Sequence, residues 1–177
     1  MQMNLVAPFL TLETVQLDVE VSSQKRLFEY VSLLFESAYG LAHGDVFESL
    51  IARERIGSTC VGAACAIPHG RLSGIEQPAI CFVRTKDELH LDSPDGRGVK
   101  MFLCMIVPEH CADDYLRILR EAAAAFDDKS FRADLLSAQT ALQVCELWNA
   151  WKIPEDLHAD HALDEATQEM ELTEDRS

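Results

Sequence analysis

The run Val99-Lys100-Met101-Phe102-Leu103-Cys104-Met105-Ile106-Val107 is apolar throughout except for Lys100. A strand with one wet face shows a polar residue at every second place, so a strand lacking them is covered on both faces. That requirement points to an α/β fold: a layered sandwich in which helices flank both sides of a mixed central sheet. The remaining chain supplies the elements. After a short element near Phe9, Val15, Leu17 and Val19 alternate with Gln16, Asp18 and Glu20 as in a half-exposed strand. Ser22 or Ser23 can cap a helix whose inward face is Leu27, Tyr30, Val31, Leu34 and Ala38, ending near Gly40. A second helix is predicted from about Asp45 to Arg55, with Val46, Phe47, Leu50 and Ile51 inward and Asp45 complementing its N-terminal dipole.

Ala79 to Val83 reads as another strand, with Leu89 and Leu91 suggesting a short extended piece before the turn Ser93-Pro94-Asp95-Gly96. Asp92 and Asp95 belong to that turn and are given no acid/base role. Asp113 to Phe126 is predicted helical with Leu116, Leu119, Ala123 and Phe126 inward. Asp127-Asp128-Lys129-Ser130 breaks it. Phe131, Leu135 and Leu136 then begin a short helix, and Ala141, Val144, Cys145 and Trp148 line a last one reaching about Trp151. Pro154 closes the fold. The expected organisation is one domain over residues 1–153 and an acidic tail over 154–177, flexible or weakly helical through Leu157, Leu163 and Met170.

Charge and composition narrow the function. A formal net charge of −15 argues against nucleic acid or an anionic membrane as partner, because both are bound by positive charge. Basic protein surfaces are the better match. No run approaches the roughly 18 apolar residues of a membrane span, and Met1-Gln2-Met3-Asn4 lacks the basic start of a secretion signal, so the expected address is the cytoplasm. The six cysteines show no C-x-x-C pair and read as reduced and mostly buried. Cys65, His69, His110 and Cys111 have no recognisable zinc spacing, and no metal or other cofactor is expected. Internal repeats, a glycine-rich nucleotide loop and a Ser-His-Asp order are all missing from the sequence.

Chemistry concentrates in Gly57-Ser58-Thr59-Cys60-Val61-Gly62-Ala63-Ala64-Cys65-Ala66-Ile67-Pro68-His69-Gly70. Pro68 fixes its own φ and pushes Ile67 towards an extended conformation, while Gly70 tolerates positive φ. His69 is held stiffly between them. Arg53 and Arg55 fall in the last turn of the second helix, where either favours the helix C-terminus electrostatically. The short connection through Gly57 also allows Arg53 to reach the loop.

Arg53, Gly57-Ser58-Thr59, Ala66-Ile67-Pro68-His69-Gly70 and the later Val107-Pro108, taken in order, resemble the phosphorylation-site signature of fructose/mannitol-type enzyme IIA domains of the bacterial sugar phosphotransferase system. The chain looks most like the nitrogen-regulatory branch, over about Leu10 to Trp151. The resemblance implies that His69 accepts a phosphoryl group from a histidine phosphocarrier protein and that Arg53 neutralises its charge. Ser58, Thr59 and the backbone around Gly62 would complete a phosphate cradle. Cys60 and Ala64 stand where the family usually has glycine, and Ala64 suits the loop if its φ stays negative. Tyr115 takes the place of the family's second histidine, as a possible second-site donor. No sugar-specific or membrane domain is attached in the sequence, which favours regulation of a protein target, of unknown identity, over sugar uptake. The alternative is an interaction module that kept the fold and lost phosphotransfer.

Overall fold

The computed structural model describes residues 3–110 and 115–157. Cys111, Asp113 and the acidic tail beyond 157 lie outside them. A 3-10 turn, Ala7–Phe9, leads into β1 (Val15–Val19), α1 (Gln24–Tyr39), α2 (His43–Ile56), β2 (Cys60–Gly62), β3 (Cys65–Ala66), β4 (His69–Leu72), β5 (Ala79–Leu89), β6 (Val99–Pro108), α3 (Leu116–Asp127), α4 (Lys129–Ser137) and α5 (Ala141–Ala150). The strands form one mixed sheet in the order β1-β5-β6-β3-β2, with β4 also pairing β6. β1 is parallel to β5, β5 antiparallel to β6, and β3 and β4 both parallel to β6.

β6 is the centre of the domain, as its composition demands. Met101, Leu103, Met105 and Val107 face one apolar layer with Ile118, Ala122, Phe126, Phe131 and Trp148 of α3, α4 and α5. Phe102, Cys104 and Ile106 face the opposite layer with Leu27, Phe28, Val31, Phe35, Val46 and Leu50 of α1 and α2. Helices on both faces leave no wet side to the strand. Trp148 anchors the first layer, edge-on to Phe131 at 5.0 Å and to Phe126 at 6.0 Å between ring centroids.

The caps follow the sequence. Ser23 Oγ accepts from Arg26 N, Asp128 from Phe131 N and Thr140 from Gln143 N, and Gly40 ends α1 at φ +70°. Other expectations shift. α1 buries Phe28 and Phe35 beside Leu27 and Val31, while Tyr30 and Leu34 are only half-buried. α3 turns Ile118, Ala122 and Ala125 inward, leaves Leu116 exposed, and buries Glu121, whose carboxylate accepts the Leu5 N–H. Leu136 is exposed as well. β5 does not stop at Val83 but runs to Leu89, joined to the piece expected at Leu89. In β1 the alternation breaks at Asp18, whose φ is +53°. A register shift there places Val15 and Leu17 in one layer and Val19 in the other.

Candidate functional site

β3 and β4 are one strand interrupted at Ile67-Pro68. Cys65 lies beside Met101 and Ala66 beside Phe102, and the same register resumes with His69 beside Met105 and Leu72 beside Pro108. Pro68 lacks the N–H that a continuous ladder uses, while its carbonyl still accepts Met105 N at 2.9 Å. His69 therefore stands just past the break, anchored on β6.

The imidazole is half-buried, and its Nδ1 lies 2.8 Å from the Ile67 carbonyl. A carbonyl can only accept, so Nδ1 carries the proton and Nε2 keeps a free lone pair. Burial pushes the His69 pKa below its ordinary value of 6.5; Arg53 and Arg71 push the same way, while the Ile67 hydrogen bond and Glu54 oppose them. The ring is thus neutral at neutral pH.

A cleft of about 490 Å³ opens beside it, lined by Ser49, Ala52, Arg53 and Ile56 of α2 and by His69, Gly70 and Arg71 of β4. α2 lies hard against β4 because position 70 has no side chain: a Cβ there would run into Ser49 Oγ, with the Ser49 carbonyl carbon 3.0 Å away. Close approach, and not positive φ, is what requires glycine at 70. Ser49 Oγ donates to the Arg71 carbonyl at 2.9 Å and fastens helix to strand. The cleft mouth is part apolar, since Ile56 is 84% exposed.

The structure brings Arg53 to this cleft, where its guanidinium donates to the Gly57 carbonyl at 2.8 Å. The hydroxyls of Ser58 and Thr59 are engaged inside the protein. Ser58 Oγ donates to the Asp92 carbonyl and accepts from Cys60 N, while Thr59 is buried and donates to Glu54 Oε2 at 2.8 Å. Gly62 pairs with Cys65, four places back from His69 along β6, or about 13 Å at roughly 3.3 Å per residue. The Ala63 N–H there is taken by the Asp95 carboxylate at 2.7 Å, which this bond, Ser93 and Arg97 hold below the usual carboxylate range. Ala63 and Ala64 make a two-residue turn at φ +52° and +63°, so the condition of negative φ under which Ala64 would suit the loop is not met. Tyr115 precedes α3, half-buried against the layer that contains Met105.

Sequence reading missed Ser49, Arg71 and Glu54. Arg71 was visible as a cation two residues from His69 on the same strand. Ser49 and Glu54 act through partners that only the fold assembles.

The family model for the phosphoenolpyruvate-dependent sugar phosphotransferase system, EIIA 2, matches residues 8–150. A nitrogen regulatory protein of Pseudomonas aeruginosa is 37% identical over 127 residues, 70% of this chain and 81% of that protein. One from Klebsiella oxytoca is 31% identical over 136 residues, 76% and 84% of the two chains. Among solved structures, nitrogen regulatory protein IIA-Ntr from Neisseria meningitidis matches with TM-score 0.78 and 41% identity, covering 82% of this chain and 99% of that one. IIA mannitol from Escherichia coli matches in fold, with TM-score 0.66 and 15% identity over 78% and 98% of the chains. No described helix is long and apolar enough to cross a membrane.

Proposed function

The chain belongs to the enzyme IIA family of the sugar phosphotransferase system, with the nitrogen regulatory proteins among its relatives, and from that premise we propose that His69 is its phosphoryl acceptor. The observation that carries this reading is the Nδ1 to Ile67 carbonyl bond, which leaves Nε2 as the free nucleophile of a neutral ring. The donor is a phosphorylated histidine of the phosphocarrier protein. The Nε2 lone pair forms the new N–P bond as the donor's P–N bond breaks, and the electron pair of that bond returns to the donor imidazole. The proton stays on Nδ1, donated to the Ile67 carbonyl throughout.

Phosphoryl transfer asks the protein for positioning and for charge neutralisation around the moving group. Arg53 supplies the cation from the end of α2 by leaving the Gly57 carbonyl, and Arg71 supplies a second from β4. Ser58 and Thr59 support the cradle by fixing the loop that carries it, and Gly62 by allowing the hairpin behind it to turn at φ +87°. Tyr115 is the remaining donor assigned to the site. The exposed Ile56 and the cleft mouth meet the carrier, with the acidic surface favouring a basic one. Ala64 weighs little against transfer, since it lies about as far along the sheet as Gly62, at the distant end of β3. We assign the domain to residues 1–153, the tail to 154–177, and the setting to the cytoplasm, where the phosphorylated and free forms select a regulatory protein target.

The test is incubation with enzyme I, the phosphocarrier protein and phosphoenolpyruvate, followed by intact mass measurement. An acid-labile gain of one phosphoryl group that disappears in His69→Ala supports the assignment. An equal gain in the variant refutes it.

A further inference from the structure

We propose that Glu54 is a positioning residue for His69, acting on the imidazole through Thr59 and Ile67; the inference rests on His69 as the phosphoryl acceptor. Glu54 is half-buried in the last turn of α2, and its carboxylate joins three elements. Oε1 accepts from Gln24 Nε2 of α1 at 3.0 Å and from Thr59 N at 3.1 Å, and Oε2 accepts from Thr59 Oγ1 at 2.8 Å. The Thr59 carbonyl in turn accepts the Ile67 N–H at 3.0 Å. The Ile67 carbonyl is the one that faces His69 Nδ1 at 2.8 Å. The carboxylate and the ring are therefore joined by an unbroken series of hydrogen bonds and backbone units.

The chain's weak point explains why such a tie is needed. Gly57 and Ser58, between α2 and β2, are exposed, and β2 is only three residues long at the sheet's edge. Thr59, by contrast, is buried, so both of its donors must be satisfied within the protein. Glu54 satisfies the two together and so fixes where the Thr59 carbonyl points. That carbonyl fixes the Ile67 peptide from its N–H side, and Pro68 confines it from the other. The Ile67 carbonyl then has one direction, and the imidazole aligned on it has one tautomer and one tilt. Arg53, the preceding residue, binds the carbonyl of Gly57 in the same linker, so a single helix end controls both the cation and the nucleophile.

Glutamine and alanine at 54 separate positioning from charge. In Glu54→Gln the remaining carbonyl oxygen still accepts from Gln24 and Thr59 N, and the new amide donates to the Thr59 hydroxyl oxygen, so the tie persists although the hydroxyl proton loses its acceptor. In Glu54→Ala the tie is lost. The readouts are the His69 tautomer, from ring ¹⁵N shifts of histidine-labelled protein, and the rate of phosphoryl acceptance from the phosphorylated carrier in single turnover. Glu54→Ala is expected to mix the tautomers and slow acceptance about 100-fold, the loss that follows a misplacement near 1 Å. Glu54→Gln keeps the tautomer and a rate within a few-fold of the parent, while His69 titrates at lower pH because the negative charge that opposes Arg53 and Arg71 is gone. An unchanged tautomer in Glu54→Ala overturns the inference, as does a Glu54→Gln protein as slow as the alanine variant. Should Glu54→Ala not fold, Thr59→Val takes its place, expected to mix the tautomers through loss of the hydroxyl tie; an unmixed ring then refutes the role. The tautomer is read without phosphorylation. A parent protein that takes no phosphoryl group therefore sinks the acceptor assignment while leaving the positioning question answered.

Discussion

Replacing Ala64 by glycine should stabilise the protein, although it deletes a buried methyl group. The residue turns between β2 and β3 at φ +63°, directly after Ala63 at +52°, in a two-residue connection of the kind that favours Asn-Gly. Left-handed backbone costs a residue with a Cβ about 1–2 kcal/mol, whereas glycine enlarges the unfolded ensemble by about 0.4–1 kcal/mol. The backbone difference favours glycine by up to about 1.6 kcal/mol and the lost buried methyl takes back about 0.8 kcal/mol, which leaves a net gain of up to about 0.8 kcal/mol, or roughly 2–3 °C in melting temperature for a domain of this size. The strain persists because the Ala64 carbonyl accepts both Lys100 N at 2.9 Å and Met101 N at 3.1 Å, and Asp95 holds the Ala63 N–H. The assay is urea unfolding of parent and Ala64→Gly, with the slope checked for constancy so that the midpoint reports stability. Gly40→Ala is the control of opposite sign: Gly40 sits at φ +70°, and an added methyl would meet nothing within 4 Å, so the same backbone argument predicts a loss of about 1 kcal/mol. An Ala64→Gly protein no more stable than its parent, beside a destabilised Gly40→Ala, would refute the reasoning at the hairpin.

Arg84→Met should lower stability by about 3 kcal/mol in the same assay, because the buried guanidinium donates to the carbonyls of Leu135, Leu136 and Ala138 at the end of α4 and pairs with Asp18 at 3.2 Å. Gly70→Ala should cost about 1–3 kcal/mol by forcing α2 off β4, and should slow phosphoryl acceptance as well, since Arg53 moves with the helix. Arg53→Gln should leave the fold intact and reduce the acceptance rate by about 100-fold, the usual order for removing one preorganised donor. Because His69's folded pKa lies below 6.5, the unfolded chain binds the proton more readily. The stability contribution is therefore full above 6.5 and lost as pH falls through the folded value. Acceptance should persist to a pH below 6.5, and His69→Ala should flatten this part of the stability profile; a parent profile that is already flat there contradicts the shift.

The elements that show a strong local signal were legible. An apolar run with a single polar residue specified β6 and its two covering layers, and Ser23, Gly40 and Asp128 announced the helix ends. The Pro68-His69 pair marked the break between β3 and β4 beside which the cleft opens. The phase of α3 was misread because Leu116 and Leu119 suggest one face and Ile118 and Ala122 another. The choice between them depends on the N-terminal segment, whose Leu5 N–H gives Glu121 a partner inside the layer. Arg84 to Glu88 does not resemble strand, yet β5 continues through it, because the charge on Arg84 is met by helix-end carbonyls about 50 positions away in the chain. At the site, the residue types were visible but their partners were not. Thr59 reads as a free hydroxyl until Glu54 is seen accepting it, and Gly70 reads as a turn until Ser49 is seen pressing against it.

The most direct test of the account is which atom carries the phosphoryl group. The protein phosphorylated through the relay can be examined by ³¹P and ¹⁵N spectroscopy with histidine labelled. Phosphorus bonded to Nε2 of His69, with Nδ1 still protonated, is the predicted result, because the Ile67 carbonyl holds the Nδ1 proton. Phosphorus on Nδ1, or on any residue other than His69, would contradict it.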